Sequence, residues 1–369
     1  MKRIQPLDGL RAFAVLGVIW AHIWMFFGNP SYKLAGININ QLLSFGGIGV
    51  DLFFVISGFC MYLMHSKQTE RFSASVYKVF IVKRWKRIAP AFYFIVLLES
   101  VSYFFSNGSF PIKSFFYHIF FINTFNTENV LSPPFWSLAT EWHFYLILPF
   151  LFINDFTGKL LVKRVTLLIL ICLFFRLWLY HQYDLSKGET IVSDRIWYRF
   201  AEFGFGILAA RFYLQQKKLP AVLTGNFGFL FTLCIAFGGR LLMTTEASRK
   251  FGSFGFFSRA MAEPLLTFGF AIMILNLLDS DSVFRRIISS KFFLLIGKVS
   301  YSMYLWHWLI AAELSYFIIR VHGISELNMM VAFIITIALL LPISLISYKI
   351  FEAPYFKKRE QPAKKLFWV

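Results

Sequence analysis

The stretch WSLATEWHFYLILP, Trp136 to Pro149, places a carboxylate, Glu141, and a hydroxyl, Ser137, inside a run otherwise suited to lipid. An ionisable side chain within a membrane span costs at least ~2.5 kcal/mol, so it faces a bundle interior or a wet cavity and marks a functional site. The same reading along the chain finds Arg11 and His22 in the first apolar run, Asp51 in the second, Arg199 and Glu202 in a later one and His307 near the end. A bundle holding this set points to chemistry or transport and not to an anchor.

Hydrophobic residues make up 58% and aromatics 20% of the 369 residues. That composition excludes a soluble globular protein and an outer-membrane barrel of alternating strands. The predicted fold class is all-α, a polytopic transmembrane helical bundle. Apolar runs of about 20 residues place about ten spans, near 10–28, 44–64, 88–106, 136–154, 165–182, 195–214, 221–243, 259–279, 293–319 and 328–350.

Short cytoplasmic loops collect Lys and Arg, and here the alternate loops are basic. One holds Lys67, Arg71, Lys78, Lys83, Arg84, Lys86 and Arg87; later ones hold Lys159, Lys163 and Arg164, then Arg211, Lys217 and Lys218, then Arg285, Arg286 and Lys291. The opposite loops carry single charges, except for Arg240, Arg249, Lys250 and Arg259. Both termini are therefore expected in the cytoplasm. Residues 1–355 read as one transmembrane domain and 356–369 as a short basic cytoplasmic tail, with no separate soluble domain.

The net charge of +18 follows from this topology and from attraction to anionic headgroups, which leaves nucleic acid a poor partner. Cys60, Cys172 and Cys234 all fall within spans, far apart in sequence. They form neither a disulfide framework nor a metal spacing and read as small core residues. The basic start carries Asp8 and Arg11 before its apolar run and lacks a small-x-small cleavage site, so it is a retained span. Between Arg71 and Arg87 bases mix with Phe72, Phe80 and Trp85, which suits either an amphipathic helix at the inner surface or a plain basic loop.

Depth follows from span direction and the 1.5 Å rise per helical residue. Arg11 lies at the cytoplasmic end of the first span and His22 roughly 16 Å deeper. Glu141, Arg199, Glu202 and His307 come to a similar depth from spans of both directions, which predicts a single buried site. A histidine beside a carboxylate suits general-base catalysis, and an arginine at the inner end suits a phosphate. Each residue also has a structural reading. Arg199 and Glu202 could be a neutralising pair, Asp51 could satisfy backbone at a broken helix, and Ser137 could cap its span after Pro133 and Pro134. Trp136 and Trp306 flank the polar residues.

Six segments in order carry a resemblance: LDGLRAFAVLGVIWAH, with Arg11 and His22 eleven apart; DLFFVISGF from Asp51; KRWKRIAP from Lys83; WSLATEWHFYLILP; RFAEFGFGIL from Arg199; and GKVSYSMYLWH ending at His307, followed by FEAP at Phe351. In these the chain resembles acyltransferase family 3, bacterial membrane O-acyltransferases of cell-surface glycans, and within it the standalone type without a fused hydrolase-like domain. It departs in reading KRWKR where double arginine is common, and in having Trp308 after His307 where a proline often follows one residue later.

The resemblance implies an enzyme that moves an acyl group, most often acetyl, from cytoplasmic acetyl-CoA to a sugar hydroxyl outside. His22, Glu141 and Arg11 would be catalytic: His22 deprotonates the acceptor or briefly carries the acyl group, and Glu141 orients His22 or the acceptor. Arg11, Arg84 and Arg87 would hold the CoA donor. Ser137, Trp136, Arg199, Glu202, His307 and Asp51 are the candidates for substrate binding. Neither a metal nor a permanently bound cofactor is expected. The expected location is the bacterial inner membrane, and the acceptor is an O-antigen of lipopolysaccharide, an exopolysaccharide, a signalling oligosaccharide or peptidoglycan. The competing class is a glycolipid or polysaccharide transporter or flippase, which would move substrate without consuming acetyl-CoA; a third is a non-catalytic scaffold.

Overall fold

The computed structural model describes residues 4–30, 33–34, 37–38, 44–66, 73–125, 131–153, 155, 158–182, 194–242 and 255–355. In chain order the elements are α1 (Gln5–Phe26), β1 (Lys33–Leu34) and β2 (Ile37–Asn38), α2 (Gly49–His65), α3 (Ala74–Asn107), α4 (Ile112–Ile119), α5 (Trp136–Leu151) and α6 (Lys159–Gln182). They continue with α7 (Ile196–Leu214), α8 (Gly225–Leu242), α9 (Gly255–Asp279), α10 (Val283–Ile288), α11 (Lys291–His322) and α12 (Glu326–Ser347), which runs into a π-turn at Tyr348–Glu352. Apart from the two-residue antiparallel pair β1–β2, the described chain is helix and connection. The long helices fall on the apolar runs read from the sequence, and α1, α2, α3, α8, α9 and α12 are long and apolar enough to cross a membrane.

Local chemistry sets the ends. Ser73 caps α3 by accepting from the Val76 amide at 3.3 Å, and Gly108, in the left-handed region at φ 71°, closes it. Ser325 caps α12 through the Asn328 amide at 3.1 Å. Pro133 and Pro134 form a 3-10 turn that leads into α5. The basic segment before Pro90 is not a separate surface helix, because it continues without a break into the span. At 34 residues, α3 is about 51 Å long, against a hydrocarbon core of about 30 Å. The tail expected at 356–369, and the charges at Lys67, Arg71, Lys187, Arg249 and Lys250, lie outside the described residues.

Helix α1 packs along α11, α2 along α7, α8 along α9, and α11 along α12. The α2–α7 crossing brings backbone against backbone from both sides. A Cβ on Gly58 would meet the Phe203 carbonyl, and one on Gly206 would meet the Val55 carbonyl. Small residues at helix crossings let membrane helices approach in this way. Gly206→Leu must push the helices apart, and a cost of ~1–3 kcal/mol is expected, to be measured as a lowered melting temperature of the purified protein in detergent. One expectation changes here: Cys172 is buried, but Cys234 is exposed on α8 and is not a core residue.

Candidate active site

Eleven helical steps of 100° bring the chain to within about 20° of its starting direction. Arg11 and His22 therefore share one face of α1. Nδ1 of His22 lies 2.9 Å from Nε2 of His307 on α11, and Nδ1 of His307 lies 2.5 Å from the Tyr304 carbonyl oxygen. A carbonyl only accepts, so His307 carries its proton on Nδ1. The neutral His307 then accepts on Nε2, and His22 donates from its own Nδ1. This leaves a lone pair on Nε2 of His22, which has no hydrogen-bond partner among the described residues. His307 is fully buried. Trp308 meets the His22 ring edge-on, with centroids 5.1 Å apart. The two histidines placed at one depth by the sequence are in direct contact.

Tyr304 joins this pair to a cavity of about 110 Å³ that it lines together with Arg11, Ser57, Cys60, Arg87, Ser137, Glu141 and Tyr145. The Tyr304 hydroxyl donates to the Pro134 carbonyl at 2.8 Å and lies 2.7 Å from Ser137 Oγ. Ser137 also donates to Pro134 at 3.0 Å. The expected N-cap role for Ser137 is not observed: the cap position is Phe135, and no side chain bonds the helix start. Ser137 is already inside the first turn, and its hydroxyl reaches back to a carbonyl.

Glu141 faces the cavity one turn further along α5. It accepts from Ser57 Oγ at 2.7 Å and from the Tyr145 hydroxyl at 2.5 Å. Its carboxylate is therefore held by two hydroxyls, and the ring it was expected to orient is oriented by His307. Arg11 pairs with Asp8 at 2.9 Å and donates to Cys60 Sγ at 3.2 Å. Arg87 lines the cavity, within electrostatic reach of Glu141 and Glu352. Arg84 is instead packed behind the wall, 3.4 Å from Met64 Sδ and over the Phe80 and Tyr145 rings.

The remaining candidates form a second cluster. Arg199 on α7 lies 2.9 Å from both Asp51 and Glu202 and 3.3 Å from Glu263 on α9. Arg176 on α6 pairs with Glu263 and donates to the Ala260 carbonyl at 2.9 Å. Trp136 separates the clusters, with the Arg199 guanidinium 5.0 Å above its ring. The single site inferred from depth is thus two: a cavity lined by Tyr304, whose carbonyl holds the histidine pair behind it, and an ion cluster joining α2, α6, α7 and α9. Arg176 and Glu263 gave the same signal as Glu141, a charge inside an apolar run, and belong with Arg199. Ser57, Tyr145 and Tyr304 gave none, since hydroxyls cost little in a span. Among the described residues no group of three or more His, Cys, Asp or Glu side chains is placed to hold a metal ion.

The segments that carry the resemblance are also joined in space, because each is bonded to another. Tyr301 of GKVSYSMYLWH donates to the Ile88 carbonyl of KRWKRIAP at 2.7 Å, and Ser302 to Glu352 of FEAP at 2.6 Å. Ser57 joins Glu141, Asp51 joins Arg199, and His22 joins His307. Fold and site together define a multi-pass helical membrane protein with a contacting histidine pair set behind Tyr304 in the wall of the cavity. The model of an acyltransferase domain, that of acyltransferase family 3, matches residues 4–349, and the chain belongs to this family. It is similar to O-acetyltransferase OatA of Staphylococcus aureus (strain NCTC 8325 / PS 47), 26% identical over 384 residues covering 97% of this chain and 58% of that protein. It is also similar to peptidoglycan O-acetyltransferase OatA of Listeria monocytogenes serovar 1/2a, 30% identical over 338 residues covering 83% of this chain and 49% of that protein. The chain spans about half the length of these relatives. No solved structure matches it.

Proposed function

We propose that this chain is an O-acetyltransferase of the bacterial cytoplasmic membrane, with ten spans and both termini inside, that moves acetyl from cytoplasmic acetyl-CoA to a hydroxyl of a cell-surface glycan. The observation that supports this reading is the His22–His307 pair, held by the backbone carbonyl of Tyr304, a residue that lines the same cavity as Arg11 and Arg87. A thioester entering past the arginines brings its carbonyl toward the histidine pair. The acceptor hydroxyl gives its proton to Nε2 of His22 as its oxygen attacks the carbonyl carbon. The C–S bond breaks, the thiolate leaves toward the inner side, and the proton on His22 passes to it. Through the transfer the Nδ1–H of His22 stays on His307, which holds the ring in place and stabilises its positive form. The glycan acceptor is supported by the Listeria relative, named for acting on peptidoglycan.

Oriented vesicles supplied with labelled acetyl-CoA on the cytoplasmic side test the reading. Label appearing in envelope glycan is the expected result. Movement of glycolipid without consumption of acetyl-CoA would replace it with the transporter reading.

A further inference from the structure

A carboxyl group that no step of the reaction uses lies in α3. Glu99 stands in IVLLESVSYFF, Ile95 to Phe105, inside an apolar run and 8% exposed. Both of its oxygens are taken by one residue: Oε2 accepts from the Ser132 amide at 2.9 Å, and Oε1 accepts from the Ser132 hydroxyl. Ser132 opens the 3-10 turn at Pro133–Phe135. The two prolines have no N–H to donate, and the Phe135 amide bonds back to the Ser132 carbonyl within the turn. The Ser132 amide and hydroxyl are therefore what ties the head of this turn to the bundle. Two helical turns before Glu99, on the same face of α3, the Phe92 ring meets Phe135 edge-on, with centroids 5.3 Å apart. The turn is thus seated on α3 at two points.

The turn in its place presents one acceptor. The Pro134 carbonyl takes the Tyr304 hydroxyl at 2.8 Å and the Ser137 hydroxyl at 3.0 Å, and both residues line the cavity. The Tyr304 ring lies 5.2 Å from that of His307, between centroids. We propose that Glu99, which is not among the cavity's lining residues, is a positioning residue for the transfer. Through Ser132 it sets where the Pro134 carbonyl stands, and through that carbonyl where the Tyr304 ring stands beside the histidine pair. This rests on reading the bundle as an acyltransferase. A misplacement of about 1 Å that originates away from the reacting atoms costs up to ~10²-fold in rate, whereas donor binding, made by other residues, is untouched.

Initial rates of acetyl transfer in vesicles, at equal membrane levels and over a range of acetyl-CoA, test the role. Glu99→Leu is expected to lower kcat by on the order of 10²-fold and to leave KM for acetyl-CoA unchanged. Glu99→Gln still offers an oxygen to the Ser132 amide and a donor to its hydroxyl oxygen, and should restore most of the rate. A loss equal to that of Glu99→Leu would overturn the proposal, because charge and not position would then be what counts. Tyr304→Phe removes the hydroxyl that meets the Pro134 carbonyl; it should cost about as much as Glu99→Leu, and the double variant no more than either. Multiplicative losses, or a raised KM in place of a lowered kcat, would also overturn it. Ser132→Ala removes half of the contact and should show the same pattern on a smaller scale, which keeps the test open if Glu99→Leu fails to assemble. A second readout needs no substrate. In purified protein carrying fluorotyrosine, the Tyr304 fluorine resonance, assigned by its loss in Tyr304→Phe, should shift in Glu99→Leu and stay in place in Glu99→Gln. An unmoved resonance overturns the positioning role whatever the reaction is. A moved one in a protein that leaves acetyl-CoA untouched overturns the acetyltransferase reading, and the part of Glu99 in transfer with it, while the link from Glu99 to Tyr304 stands.

Discussion

His22→Ala is expected to reduce acetyl transfer by ~10²–10⁴-fold at equal membrane levels, the usual range for a positioned general base. His307→Ala should cost less, because the base remains and only its ring position and tautomer are released. The double variant should be no worse than His22→Ala alone, since residues acting as a unit are not additive. Initial rates of label transfer in vesicles, measured for the two single variants and the double, check all three statements. Full activity in His22→Ala would remove the relay from the mechanism, and multiplicative losses in the double variant would show that the two rings act separately.

The second large effect concerns the ion cluster. Removing one partner of a buried pair leaves an uncompensated charge, at a cost of ~3–5 kcal/mol. Arg176 is 1% exposed and pairs with Glu263, which also faces Arg199. Arg176→Met should therefore lower the melting temperature in detergent sharply and reduce the amount of folded protein in membranes. Arg176→Met with Glu263→Leu should recover much of that loss, because well-packed apolar pairs commonly replace buried ions without penalty. A single variant as stable as the wild type would mean that the pair contributes nothing to holding α6 against α9.

The helical bundle was legible because apolar length is a property of composition that needs no partner. Depth was legible for the same reason: it depends only on the rise per residue and the direction of a span. Depth brought His22 and His307 together correctly, but it carries no azimuth. Glu141 shares their level and turns toward Ser57 and Tyr145 instead, so its expected contact with His22 is not made. Arg199 and Glu202 also share the level and lie across Trp136, with Asp51 and Glu263. Which way a helix face points is settled by packing, here by backbone crossings such as Gly58 against Phe203, and that information is spread over the whole chain.

Tyr304 presents its ring to the cavity and its carbonyl to His307, and neither histidine is among the cavity's lining residues. The consequence is electrical. A bundle that hands an acyl group from one side of a membrane to the other invites protons and ions to follow the same route, and a water-filled bore through it would discharge the membrane potential, worth about 2.3 kcal/mol per charge at 100 mV. In the proposed arrangement Tyr304, standing between the cavity and the histidines, is the residue that would keep the two aqueous phases apart. In the proposed reaction the acyl group passes outward and one proton passes inward by way of His22, while the thiolate and the acceptor each stay on their own side.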